Sequence, residues 1–199
     1  MLSAYASPTE VCRAALATIG GVPLTSITEN SPQGRIARNR YEGVVNSALS
    51  LHGWKFAKKT KQLLYRDSTG APLKHRYDLP NDMLLPRYVL VDDQRNQEYD
   101  IDGAFLHFNK QTTLKLVYTY RAPEGDWSAD FAESVVLDMA AIYSRALLQD
   151  RAGARDLISL ASDTRLRAMS TEYYSQRPKE NDRPGPLVAA HKGYGRAQR

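Results

Sequence analysis

The chain has 199 residues, 42% hydrophobic and 25% charged, with a net charge of +5 and one cysteine. That is enough to fill the core of one compact domain, or one domain with an elaborate insertion, and leaves little room for two unrelated full-size domains. A lone Cys12 excludes an intramolecular disulfide framework and a zinc site of clustered thiolates, and no stretch approaches the roughly 20 apolar residues of a membrane helix. "MLSAYASPTEVCRAALATIGG" has no basic leader and is interrupted by Pro8, Glu10 and Arg13, so a signal peptide is not expected and cytoplasmic synthesis is.

Charge is unevenly spread. From Tyr174 onward there are six basic and two acidic residues, a surplus of +4, while the rest of the chain carries only +1. A positive balance ordinarily raises nucleic acid as a partner, but here the surplus belongs to a tail.

The first element opens on Ser7 as cap, Pro8 at the first helical position and Glu10 completing a capping box. This predicts a helix over about 8–19 with a small-residue stripe of Val11, Ala14, Ala15 and Thr18, stopped by Gly20-Gly21 and Pro23. Cys12 within it reads as an inert thiol. Ser31-Pro32 opens a longer helix with Ala37, Tyr41, Val44, Val45, Ala48 and Leu51 at helical spacing, and with Arg38 and Glu42 four apart on its outer face. Gly53 is expected to take a left-handed position beyond it, folding Trp54 back onto Leu49.

After Trp54 the period changes to that of strands. In "LHGWKFAKKTK" the aromatics Trp54 and Phe56 point to one side, and Lys55, Lys59 and Lys61 to the other. "RYDLP" at 76–80 and "RYVLVDD" at 87–93 read as extended pieces, and "EYDIDGAFLHF" as a hairpin turning at Asp102-Gly103. "TLKLVYTYR" places Leu114, Leu116, Tyr118 and Tyr120 on an inner face, and Lys115, Thr119 and Arg121 on an outer one. A mostly antiparallel sheet over 55–121 follows.

Helix returns after "APEGDW", capped by Asp126 or Ser128, with Phe131, Val135, Met139, Ile142 and Leu147 on its apolar face. A last helix over about 151–173 presents Leu157, Leu160, Ala161, Thr164 and Ala168, with Asp163 and Arg167 as an ordered pair. The order implies an α+β fold in three parts. Residues 1–54 and 126–173 form a helical bundle, 55–125 an inserted antiparallel β-sheet, and 174–199 an extended C-terminal tail. The tail is rich in proline, glycine and charge and cannot fold alone, yet "PLVAAHKGY" carries an apolar patch.

Patterns for chemistry are sparse. His52, His75, His107 and His191 are scattered with no partner at ligand spacing, so no metal site is expected; His52 can meet the negative end of the second helix. Glu98, Asp100 and Asp102 alternate on one strand face, which could serve a cation or acid–base pair but reads first as a solvated edge. No phosphate loop or nucleophile elbow occurs, so no catalytic residue, cofactor or metal is assigned.

Six segments in order then become informative together. They are "CRAALATIGGVPLTSI" (12–27), "ARNRYEGVVNSALSLHGWKFA" (37–57), "YDLPNDML" (77–84), "YDIDGAFL" (99–106), "LKLVYTYR" (114–121) and "WSADFAESVVLDMAAIYSRAL" (127–147). Over about residues 5–170 the chain resembles the head-to-tail adaptors of short-tailed bacteriophages, the tail tubular protein A family. The resemblance implies a helical bundle bearing a β domain, made in the host cytoplasm and placed in the virion neck. It implies a homo-oligomeric, dodecameric ring that attaches to the portal protein, meets a tail or nozzle protein, and retains and then passes genomic DNA without gripping its sequence. No membrane partner is implied. The tail after 174 is not covered; Leu187, Val188, His191 and Tyr194 are its expected portal-binding or neighbour-binding anchors.

Two other readings stand beside this one. A nucleic-acid-binding module would use Lys55, Lys58, Lys59, Lys61 and the basic tail, and would bind DNA with strong salt dependence. A tail-associated cell-wall enzyme would have only His52, Glu98 and Asp100 to work with.

Overall fold

The first helix begins where a serine can take over an orphan amide. In the computed structural model, which describes residues 5–68, 73–96 and 98–176, α1 (Pro8–Thr18) is capped by Ser7, whose hydroxyl accepts from the Glu10 amide at 3.3 Å. The Glu10 carboxylate reaches back to the Ala6 amide at 2.6 Å rather than to Ser7, so the box closes one residue earlier than expected. Val11, Cys12, Ala15 and Leu16 form the buried face. Thr18 is exposed and its hydroxyl returns to the Ala14 carbonyl at 3.0 Å, because the bulk of Leu16 sets which side docks.

α2 (Pro32–Ser50) repeats the device, with the Ser31 hydroxyl accepting from the Gly34 amide at 3.0 Å. A Cβ on Gly34 would lie 2.4 Å from the Glu29 carbonyl, so glycine is required there. Ala37, Tyr41, Val45, Ala48 and Leu49 are buried, while Leu51, expected on the stripe, lies past the helix end and is 58% exposed. The expected Arg38–Glu42 pair does not form. Arg38 donates to the Ile27 and Glu29 carbonyls, and Glu42 accepts from Arg121.

Nor does Gly53 make a left-handed helix end; positive φ among glycines is confined to Gly20 and Gly103 within the described residues. Side chains satisfy the carbonyls instead. The Trp54 indole donates to the Ala48 carbonyl at 3.1 Å, and Arg87 donates to Gly53 and Trp54 at 3.1 and 2.7 Å.

Eight strands follow: β1 (Lys58–Gln62), β2 (Leu64–Ser68), β3 (His75–Asp78), β4 (Met83–Val91), β5 (Gln94–Asn96), β6 (Asp100–Asp102), β7 (Phe105–Phe108) and β8 (Leu114–Tyr120). They build two four-stranded antiparallel sheets, ordered β1-β8-β4-β5 and β2-β3-β7-β6, where the sequence predicted one. A single residue, Leu63, carries the chain between sheets. It is buried, and its amide donates to the Leu114 carbonyl at 2.8 Å. The sheets share a core of Tyr77, Val89, Leu106, Phe108, Leu114, Leu116 and Tyr118.

Turn chemistry accounts for two further differences. The β4–β5 hairpin turns on Asp92 and Asp93, at φ 50° and 61°, a left-handed pair that aspartate tolerates; no glycine advertised it. In the β6–β7 hairpin Asp102 pairs with Phe105, so the loop is Gly103-Ala104, one residue later than predicted, with Gly103 at φ 55°.

β8 is buried on both faces. Thr119, expected outside, is 0% exposed, and Val117 on the same face is 1% exposed, so the strand sits between the second sheet and a further layer. That layer consists of the helices. α3 (Ala129–Tyr143), uncapped by the Ser128 side chain, runs into a π-helical turn (Ser144–Leu148) and then α4 (Arg151–Gln176). α3 packs against α1, α2 and α4 and buries residues around most of its circumference, from Phe131 to Tyr143. α4 approaches it through Ala154, Ala161, Thr164 and Ala168, whereas Leu160 points to solvent and Arg167 bonds Thr164 rather than Asp163.

The expected architecture of a helical bundle carrying a β insertion is therefore overturned: the fold is mixed α+β, with four α-helices and two antiparallel sheets among the described residues. The helices do not close a core of their own. Trp54, Ala57, Ala122 and Trp127 from the crossings into and out of the sheets are fully buried members of it, and Tyr120 of β8 packs on both cores. The tail residues Leu187, Val188, His191 and Tyr194 lie outside the described residues.

One polar knot locks this junction. Glu124, 7% exposed, accepts from the Tyr41 hydroxyl at 2.9 Å and from Arg121, which also pairs with Glu42 and lies over the Trp127 ring. Burial first, and then the Glu124 carboxylate, push the Tyr41 phenol well above its usual range, so it remains a donor. Glu124→Ala should lower unfolding stability by about 2 kcal/mol in urea titrations, since it leaves the buried Tyr41 hydroxyl without its acceptor and Arg121 with Glu42 as its remaining carboxylate. Loop conformation makes a second prediction. Gly103→Val should cost about 1 kcal/mol or more by forcing a branched residue to positive φ, while Gly53→Ala, whose Cβ would meet Arg87 at an ordinary 3.6 Å, should leave the melting temperature unchanged or higher.

Candidate functional site

α2, the end of α3 and α4 do not fill the space between them. Adjoining cavities of ≈ 730 and ≈ 670 Å³ open there, sharing Asn39, Arg40, Ile142 and Arg145, and a smaller one continues past Arg145 to Ile158. Together they make one groove. Its floor is aliphatic, from Ile36, Val44, Ile142, Leu147 and Ile158.

Its rim is arginine. Arg35 and Arg40 come from the solvent side of α2, Arg145 from the π-helical turn, and Arg151 and Arg155 from the first turns of α4. All five are exposed, and none has a carboxylate partner among the described residues. The π-helical turn, with its i→i+5 spacing, is the element that carries Arg145 to all three cavities. Gln149 at φ 55° then reverses the chain, and Asp150 caps α4 by accepting from the Gly153 amide at 2.9 Å. One carboxylate lines the groove, Asp138, and it is engaged by Arg165. Burial raises the Asp138 pKa while Arg165 lowers it, and the carboxylate is paired with Arg165 rather than with a rim arginine.

Such a surface can hold an anionic chain: guanidinium forks match carboxylates or phosphates, and the floor takes an apolar side chain. From Ile158, which lines the groove at 56% exposure, α4 continues with Leu166 and Tyr173, each 59% exposed, at spacings that put the three on one flank of the helix.

The residues singled out from the sequence do not converge here. His52 lies 3.4 Å from Glu172, whose other oxygen accepts from the Lys55 amide at 2.6 Å, so it belongs to the joint between α2, β1 and α4. His75 sits on β3 beside the Tyr65 ring, and His107, on the neighbouring β7, stands opposite Arg76 rather than His75. Asp100 and Asp102 are exposed on the edge strand of the second sheet, as their alternation predicted, whereas Glu98, also exposed, lies before that strand. Among the described residues no three His, Cys, Asp or Glu side chains are placed to hold a metal ion, and no helix is long and apolar enough to cross a membrane. Cys12 is buried, which pushes its thiol up to about 11 and keeps it protonated.

The lysine cluster has a plain structural use. Lys58, Lys59 and Lys61 lie on β1, an edge strand exposed throughout, where charge discourages pairing with another sheet. Lys59 is tied to Asp82 at 2.6 Å. Trp54 is fully buried, so it offers no base-stacking surface next to these cations.

The groove was not found from the sequence because its arginines are spread from position 35 to 155. One signal was present: Arg151 and Arg155, like charges four apart, work against the helix that carries them unless an anion is nearby. Compared with known proteins, the chain matches no family model and no curated relative.

Proposed function

We propose that the chain is a structural subunit of a head-to-tail adaptor ring of a short-tailed bacteriophage. In this reading it attaches to the portal protein, extends the DNA channel toward a tail or nozzle protein, and retains DNA until ejection, in the virion neck. Two lines support it: the six ordered segments that resemble that family, and the surface of the helical layer. The observation that carries the reading is the apolar flank of α4 beside the arginine-rimmed groove, because large exposed aliphatic and aromatic side chains next to unpaired cations characterise a surface built to be covered by protein. A nearly neutral body suits a conduit that lets DNA slide better than one that binds it.

The test is native mass measurement of the chain alone and with the portal protein of the same virion. A ring, or a multimer bound to portal, is the expected result. A persistent monomer indifferent to portal would overturn the reading.

A further inference from the structure

An exposed basic groove and an exposed acidic edge belong to different elements of the molecule. The groove belongs to the helices. The acidic strand β6, with Asp100 and Asp102 exposed and Glu98 exposed just before it, is the outermost strand of the second sheet and pairs with β7 alone among the described residues. None of these three carboxylates is in an ion pair among the described residues. Basic groove and acidic edge are thus both left unneutralised, and the fold keeps them apart within one chain.

We propose that the groove is the receiving half of a contact between copies of this chain, and that its occupant is the β6 edge of a second copy. Glu98, Asp100 and Asp102 meet Arg40, Arg145 and Arg155, while Tyr99 and Ile101, which alternate with them, stay packed on the core of their own sheet and hold the carboxylates outward. A strand is a fitting occupant because its carboxylates project from one face at a regular repeat of about 7 Å every second residue. Alternation that looked like a solvated edge in isolation becomes a register of charges. The contact joins two different surfaces, so it is heterologous, and repetition closes a ring or propagates a filament. Nucleic acid fits less well: no aromatic side chain lines the groove for stacking, and an aliphatic floor has nothing to offer a phosphate backbone. The inference rests on the ring reading and specifies its interface.

Charge reversal with mixing tests it. One variant carries Arg40→Glu and Arg145→Glu, the other Asp100→Lys and Asp102→Lys; all four positions are exposed, and circular dichroism melts check that both fold. In sedimentation velocity each variant alone should self-associate at least about tenfold more weakly than the wild type, because like charges then face each other. An equimolar mixture should regain assembly, since the acidic strand of the first variant meets an unaltered groove and the basic strand of the second meets an acidic one. Assembly of either variant at wild-type strength, or no recovery on mixing, overturns this interface and leaves the ring reading standing. A wild-type chain that never multimerises, with portal protein or without it, overturns both. Loss of duplex DNA binding by the groove variant with assembly unchanged identifies the groove as a phosphate surface and likewise overturns the proposal.

Discussion

The Phe131 ring, on the first turn of α3, meets Trp54, Phe56 and Trp127 at centroid distances of 5.0, 5.0 and 5.1 Å, and the rest of the molecule is arranged around that contact. Trp54 and Phe56 stand where the chain leaves the helices for the sheets; Trp127 stands where it returns. Three of the four rings are fully buried, and aromatic side chains of this size bring roughly 150–250 Å² each out of water. Because entry and exit are held by one ring, the first sheet has no freedom to pivot beneath the helices. Both indoles also donate to backbone carbonyls, Trp54 to Ala48 and Trp127 to Ala122, so the cluster carries no unmet donor from either.

Several consequences follow from that fixed junction. β8 must be covered on both faces, which is why Val117 and Thr119 are as buried as Leu114 and Leu116. α3 must be enclosed by α1, α2 and α4, and its ending in a π-helical turn sets Arg145 at the mouth of the space left between those helices. The second sheet ends in the acidic β6. A rigid body with an arginine groove on one layer and a carboxylate edge on another has the polarity that head-to-tail assembly requires.

Local signals in the sequence carried the elements well. Ser7-Pro8 and Ser31-Pro32 start helices where they should, and the alternation of Asp100 and Asp102 survives in β6, with Glu98 exposed just before it. What failed to show is what depends on tertiary partners. Gly53 suggested a left-handed helix end, but a tryptophan and Arg87 from β4 satisfy those carbonyls from a distance. The split into two sheets turns on one buried residue, Leu63, which looks like any other strand leucine. The helical bundle was inferred from amphipathic faces, and those faces are real; their outer partners include the aromatic joint and β8, which only the folded chain brings together. The groove was hidden for a similar reason, being assembled from three helices with no continuous motif.

The central claim is that helices and sheets form one cooperative unit fastened at Phe131. Urea unfolding followed by tryptophan fluorescence, which reports the two indoles at the junction, and by far-ultraviolet circular dichroism, which reports the helices, tests it directly. The account predicts coincident transitions with one midpoint. Separate midpoints, with the tryptophans released while helical signal persists, would contradict it.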